Sequence, residues 1–171
     1  IKSDGSKNLA FATLPTAGFT LGTPVASTSG TSIDFTGIPS GTKQIIVGFD
    51  GVSVSGTSKM MIQIGDAGGV ETTGYKGDSH FHSGTTTNVT TGFTSAFTGA
   101  AADHFGQAII TLTNLSTNTW VCTGSAGHST GTGMVSFAGG KALSAELDRI
   151  RVTTIGGSDT FDLGSLNITY I

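Results

Sequence analysis

Charge is scarce in this sequence: ionisable Asp, Glu, Lys and Arg make up only 11% of its 171 residues, less than half the roughly 25% of an average globular chain. The surface must therefore be built from hydroxyls, amides and backbone. A formal net charge of −3 gives no basic footprint for nucleic acid or for an anionic membrane. No apolar run approaches the roughly 18 residues that cross a bilayer, so no membrane insertion is expected. The single cysteine, Cys122, excludes any disulfide within the chain. It stands in the apolar stretch Thr119–Trp120–Val121–Cys122, which predicts a small core residue rather than a reactive thiol. The strong helix formers Glu, Lys, Arg and Gln are few, and no segment carries a convincing 3.6-residue period. Phosphate-loop, CxxC and HExxH motifs are absent. Glycoside cleavage needs two carboxylates flanking one bond, and no local pair of acids suggests it. No catalytic residue and no cofactor are expected.

Glycine, serine and threonine fill the space. Thr is β-branched and suits a pleated surface, whereas the 27 glycines suit tight reversals. From Phe19 onward, short apolar or alternating runs recur every 8 to 14 residues, the spacing of a sandwich or barrel. Strands are predicted at Thr20–Ser27, Ser32–Thr36, Gln44–Ser53, Lys59–Gly65, Thr90–Phe97, Gln107–Leu115, Thr119–Ser125, Met134–Ala138, Leu147–Ile155 and Leu163–Ile171. In Leu147–Ile155, Ile150 and Val152 fall on one face and Arg149 and Arg151 on the other, the signature of a half-buried antiparallel strand. Turn chemistry separates the runs, as at Ile38–Pro39–Ser40–Gly41 and Gly156–Gly157–Ser158–Asp159. The expected fold is an all-β antiparallel sandwich of two packed sheets, a jelly roll, over residues 18–171. Residues 1–17 are expected to be an arm or linker arriving from an upstream shaft, and the chain, which opens on Ile1, a piece of something longer.

One segment stands apart. Gly74–Asn88 reads GYKGDSHFHSGTTTN and is predicted as a long polar loop, the kind that carries function. Within it, His80–Phe81–His82 places two imidazoles on one side of an extended chain, where both could reach one metal ion. Copies around a threefold axis would offer six nitrogens to such an ion. The bland alternative is a polar loop that binds no metal. Sugars stack on exposed aromatic rings beside polar groups, so Tyr75, Asp78, Phe81 and His128 are the candidate ligand contacts. Trp120, alternating within a strand, is expected in the core.

Several longer strings, taken in order, resemble a known family. Ile33–Asp34–Phe35–Thr36–Gly37–Ile38–Pro39 precedes Val47–Gly48–Phe49–Asp50–Gly51–Val52–Ser53. Ile62–Gln63–Ile64–Gly65–Asp66 leads to a run ending at Tyr75, and Leu112–Thr113–Asn114–Leu115 leads to Asn118–Thr119–Trp120–Val121. Leu143 to Arg151 and Asp159 to Ile168 follow, and Lys2–Ser3–Asp4–Gly5 is similar to a leader found after repetitive shafts. This wording resembles the C-terminal, or tip, domains of tail fibre and tail structural proteins of tailed bacteriophages, over about Gly18 to Ile171. Gly74–Asn88 follows no wording of that family. The resemblance implies a structural component of the virion, carried on an exterior appendage, commonly a homotrimer, in some cases contacting host-surface glycans. It implies no catalytic residues.

A weakly charged surface is poorly protected against association, so a homo-oligomer is expected on physical grounds, with threefold symmetry implied by the resemblance. The leading expectation is a fibre tip that adheres to a host-surface glycan or protein beside other virion proteins. A decoration or connector domain of capsid or tail, and a carbohydrate-active enzyme or binding module, are the competing classes.

Overall fold

Alternation of apolar and polar residues sends every second side chain of a strand into one interior, and the chain folds as that pattern requires. A computed structural model describes residues 2–3, 9–10, 18–82, 84–98, 105–128 and 133–171, with side chains described over 18–82, 84–95, 111–127 and 133–171. Among them are sixteen strands and no helix. The strands are β1 (Lys2–Ser3), β2 (Leu9–Ala10), β3 (Thr20–Leu21), β4 (Val25–Ala26), β5 (Ser32–Thr36), β6 (Gln44–Val54), β7 (Lys59–Asp66) and β8 (Gly69–Val70). They continue as β9 (Lys76–Phe81), β10 (Thr86–Asn88), β11 (Phe93–Thr98), β12 (Phe105–Ser116), β13 (Thr119–His128), β14 (Met134–Ala142), β15 (Arg149–Thr154) and β16 (Phe161–Tyr170). The arm expected over residues 1–17 lies outside the described residues, apart from the pairing of β1 with β2.

All pairings are antiparallel, and two sheets face each other. The large sheet runs β10-β9-β14-β13-β12-β6-β16-β3, with β4 also on β16. The small sheet runs β11-β7-β15-β5, with β8 on β7. The antiparallel sandwich expected from the sequence is present. β5, β6, β7, β9 and β11 alternate between the sheets, with the short β8 and β10 folding back on β7 and β9. Then β12, β13 and β14 run as a meander inside the large one, which departs from a plain jelly-roll order.

The core is filled from both sheets. Ile45, Val47, Phe49, Leu112, Trp120 and Val135 from the large sheet meet Ile33, Phe35, Ile62, Ile64, Ile150 and Val152 from the small one. Burial of each such side chain stabilises the fold by about 1.5–3 kcal/mol. Trp120 is 1% exposed and Cys122 4%, as their strand predicts. Burial pushes the Cys122 thiol up to about 12, so the reactive thiolate is suppressed.

The largest departure from the sequence expectation is Gly74–Asn88. It is not a free loop: β9 and β10 form a hairpin that completes one edge of the large sheet, with β9 paired to β14 along its whole length. The strand hides in the sequence because two of its three inward positions are Gly77 and Ser79, which carry no apolar signal. Gly77 has φ 144° and lies flat on β14. A Cβ at this position would stand 2.2 Å from the Ala138 carbonyl oxygen, so only glycine lets the two strands approach.

Candidate functional site

Residues paired across antiparallel strands share a face, so register fixes what the large sheet shows to solvent. On its outer face one row runs Thr169, Ile46, Thr111, Thr123, Ala138, Asp78. The next runs Ser125, Ser136, His80, Thr86. Apart from Asp78 and His80, these two rows are uncharged. Where they cross β12, β13, β14 and β9, the sheet's twist leaves a depression of about 600 Å³, lined by Asp78, His80, Thr111, Thr123, Ser125 and Ser136.

Its polar groups are displayed rather than consumed. The hydroxyls of Thr111, Thr123, Ser125 and Ser136 form no hydrogen bond with a described residue. Asp78 is oriented by Asn88, whose Nδ2 donates to Asp78 Oδ1 at 2.8 Å and to the Gly77 carbonyl at 2.7 Å. The second Asp78 oxygen stays open to solvent on the wall of the depression. Seven other carboxylates are committed to the scaffold. Asp34 takes a two-pronged bond from Arg151, with both contacts at 2.7 Å. Asp148 pairs with Arg149, Glu71 with Lys141, and Glu146 accepts from Gly41 N–H and Ser40. Asp66 accepts from Ser144, Asp159 from the Ser58 amide, and Asp162 from Ser53. A smaller depression on the small sheet, about 350 Å³, is lined in part by Gln63 and Thr153, and Gln63 Nε2 donates to the Thr91 carbonyl.

The six residues singled out from the sequence fare differently. Asp78 and His80 do come together in the depression. His82 stands beside it; its Nδ1 lies 2.7 Å from the Met134 carbonyl, and its ring meets that of His80 edge to face with centroids 6.3 Å apart. Two imidazoles do not complete a metal shell, and among the described residues no third His, Cys, Asp or Glu joins them. Phe81 points to the other face, partly buried against the core and covered by Gly133. His128 ends β13, and its side chain lies outside the described residues.

Tyr75 requires a correction. Expected to contact a ligand, it is 2% exposed and packs edge-on against Phe93, with ring centroids 5.0 Å apart. Its hydroxyl accepts the Ile64 amide N–H at 2.7 Å and lies 2.9 Å from the Glu71 carbonyl, to which it donates. Those groups sit where β7 loses its neighbour between β11 and β8, so the phenol stands in for the missing strand. Burial drives its pKa far upward.

The hydroxyl floor was missed. Thr111, Thr123, Ser125 and Ser136 alternate outward in strands that the sequence predicts, but their meeting depends on register. The string at residues 127–131 also spells Gly-x-Ser-x-Gly. Its serine and the two residues after it lie outside the described residues. No family model, curated protein or solved structure matches the chain.

Proposed function

We propose that this chain is the tip domain of a phage tail fibre, an exterior virion component that holds a host-surface glycan on the outer face of its large sheet. The observation that carries the reading is the depression of about 600 Å³ with unengaged hydroxyls on its floor and an oriented carboxylate on its wall. Sugar hydroxyls both donate and accept, and such groups complement them. The ordered strings shared with fibre tips supply the biological setting.

Association of copies is the second part of the reading. Phe19, Leu21, Leu115, Val121 and Ile171 are all exposed large apolar residues. Register gathers them toward one end of the large sheet: Ile171 and Gln44 exchange backbone bonds, Gln44 opposes Thr113, and Thr113 opposes Val121. Leu21 opposes Thr169. Residue 18, where the sandwich begins, stands at this end, so copies joined through preceding residues would meet there and bury the patch. A homotrimer is the symmetry that the resemblance to fibre tips favours.

The test is adsorption of labelled protein to a panel of bacterial cells. Saturable binding that disappears after periodate oxidation of surface sugars is the expected result. Binding that survives periodate but not protease would replace the glycan with a protein receptor. Absence of saturable binding throughout would leave a structural terminator or connector.

A further inference from the structure

We infer that the depression on the large sheet selects neutral sugars and rejects acidic ones, an inference that rests on the glycan-binding reading above. Among the side chains that line it, Asp78 alone carries a full charge, and that charge is negative. Among the described residues, no lysine or arginine lines the depression. Lys76, the nearest cation along β9, falls one row further on, opposite Gly140.

Asp78 is built to stay in place. The Asn88 amide is anchored by the Gly77 carbonyl and clamps Oδ1, leaving Oδ2 to accept hydroxyl protons from a bound molecule. Ser125 and Ser136 oppose each other across β13 and β14, roughly 4.8 Å apart, and Thr123 stands two residues along β13 from Ser125, roughly 6.6 Å away, so the three hydroxyls are spread over the length of about one sugar ring. His80 supplies an exposed ring against which a sugar face can rest, Phe137 behind it being buried. A uronate, sialate or phosphorylated sugar would bring a second negative charge within a few ångströms of Asp78, with no cation lining the depression to offset it. That repulsion is worth about tenfold or more in affinity at low ionic strength.

The experiment uses the intact chain, immobilised to present many copies, against mannan, galactan and dextran as neutral probes and alginate and polygalacturonate as acidic ones. At least one neutral polymer is expected to bind about tenfold more tightly than either acidic polymer. Ser136→Trp, which fills the depression from an exposed position, is expected to abolish that binding while leaving the melting temperature unchanged. Asp78→Asn is expected to narrow the preference to about threefold or less.

Acidic polymer bound preferentially and lost in Ser136→Trp would overturn the inference while sparing the glycan reading. Neutral binding that persists in Ser136→Trp would place the sugar elsewhere and overturn the inference too. Failure of all five polymers, together with failure of cell adsorption, would overturn the glycan reading itself.

Discussion

Lys141 and Glu71, seventy positions apart, form an ion pair beneath the surface that ties the end of β14 to the turn after β8. The Lys141 side chain is 6% exposed, its Nζ stands 5.5 Å from the Tyr75 ring centroid, and it also donates to the Ala142 carbonyl at 2.8 Å. The other Glu71 oxygen accepts the Ser144 amide N–H at 2.6 Å. Removing one partner strands the other, so Lys141→Met is expected to destabilise by about 2–3 kcal/mol, below the full cost for a wholly buried pair because Glu71 keeps some solvent. The added change Glu71→Gln should restore most of the loss in a urea titration, because no unpaired charge remains. A double variant no more stable than Lys141→Met would show that packing, not charge, is at stake.

Acid should loosen the same region. Burial opposes the Glu71 charge, but the Lys141 ammonium and the Ser144 amide prevail and hold its carboxyl below the ordinary range. Asp66 is lowered by the Ser144 hydroxyl and the Gly68 amide, and Glu146 by the Gly41 amide and Ser40. A carboxyl depressed in the fold contributes stability above its unfolded value, 4.5 for Glu and 3.8 for Asp, and loses it as pH falls through the folded value. Urea midpoints are therefore expected to be flat from pH 7 to about 5 and to fall below about pH 4.5. Glu71→Gln should make that fall shallower.

Tyr75→Phe separates scaffold from site. Loss of the hydroxyl leaves the Ile64 amide at the β7 edge without its acceptor, a cost of about 1–3 kcal/mol. Sugar binding should be unchanged, since Tyr75 presents no surface to a ligand. Weakened binding with unchanged stability would reverse this assignment.

The apolar patch predicts an oligomer that a single charge can dissolve. Leu115 is 69% exposed within one copy, so Leu115→Glu should leave the thermal transition of the sandwich nearly intact. Light scattering at micromolar concentration is expected to show a trimer for the parent chain and a monomer for the variant. An unaltered mass would move the contact away from this end of the sheet.

How far the sequence reached can be judged strand by strand. Alternation located β5, β6, β7, β12, β13 and β15 within a few residues, because period two with one apolar face leaves few alternatives. The same logic put Trp120 and Cys122 in the core. It failed at β9, whose inward side is Gly77, Ser79 and Phe81: the glycine is there for backbone approach to β14, and periodicity of hydrophobicity cannot register that. Tyr75 read as a ligand contact for a related reason, since nothing local reveals that β7 has a gap for its hydroxyl to fill.

Composition and periodicity by themselves determined a sparsely charged, all-β chain with one apolar face per strand. They could do so because burial of alternate side chains is a local property of the strand. Only the tertiary structure decided that Asp78 and His80 share a depression with Thr111, Thr123, Ser125 and Ser136. Residues from four strands meet through hydrogen-bond register, and one residue of slip would have turned each of them to the other face.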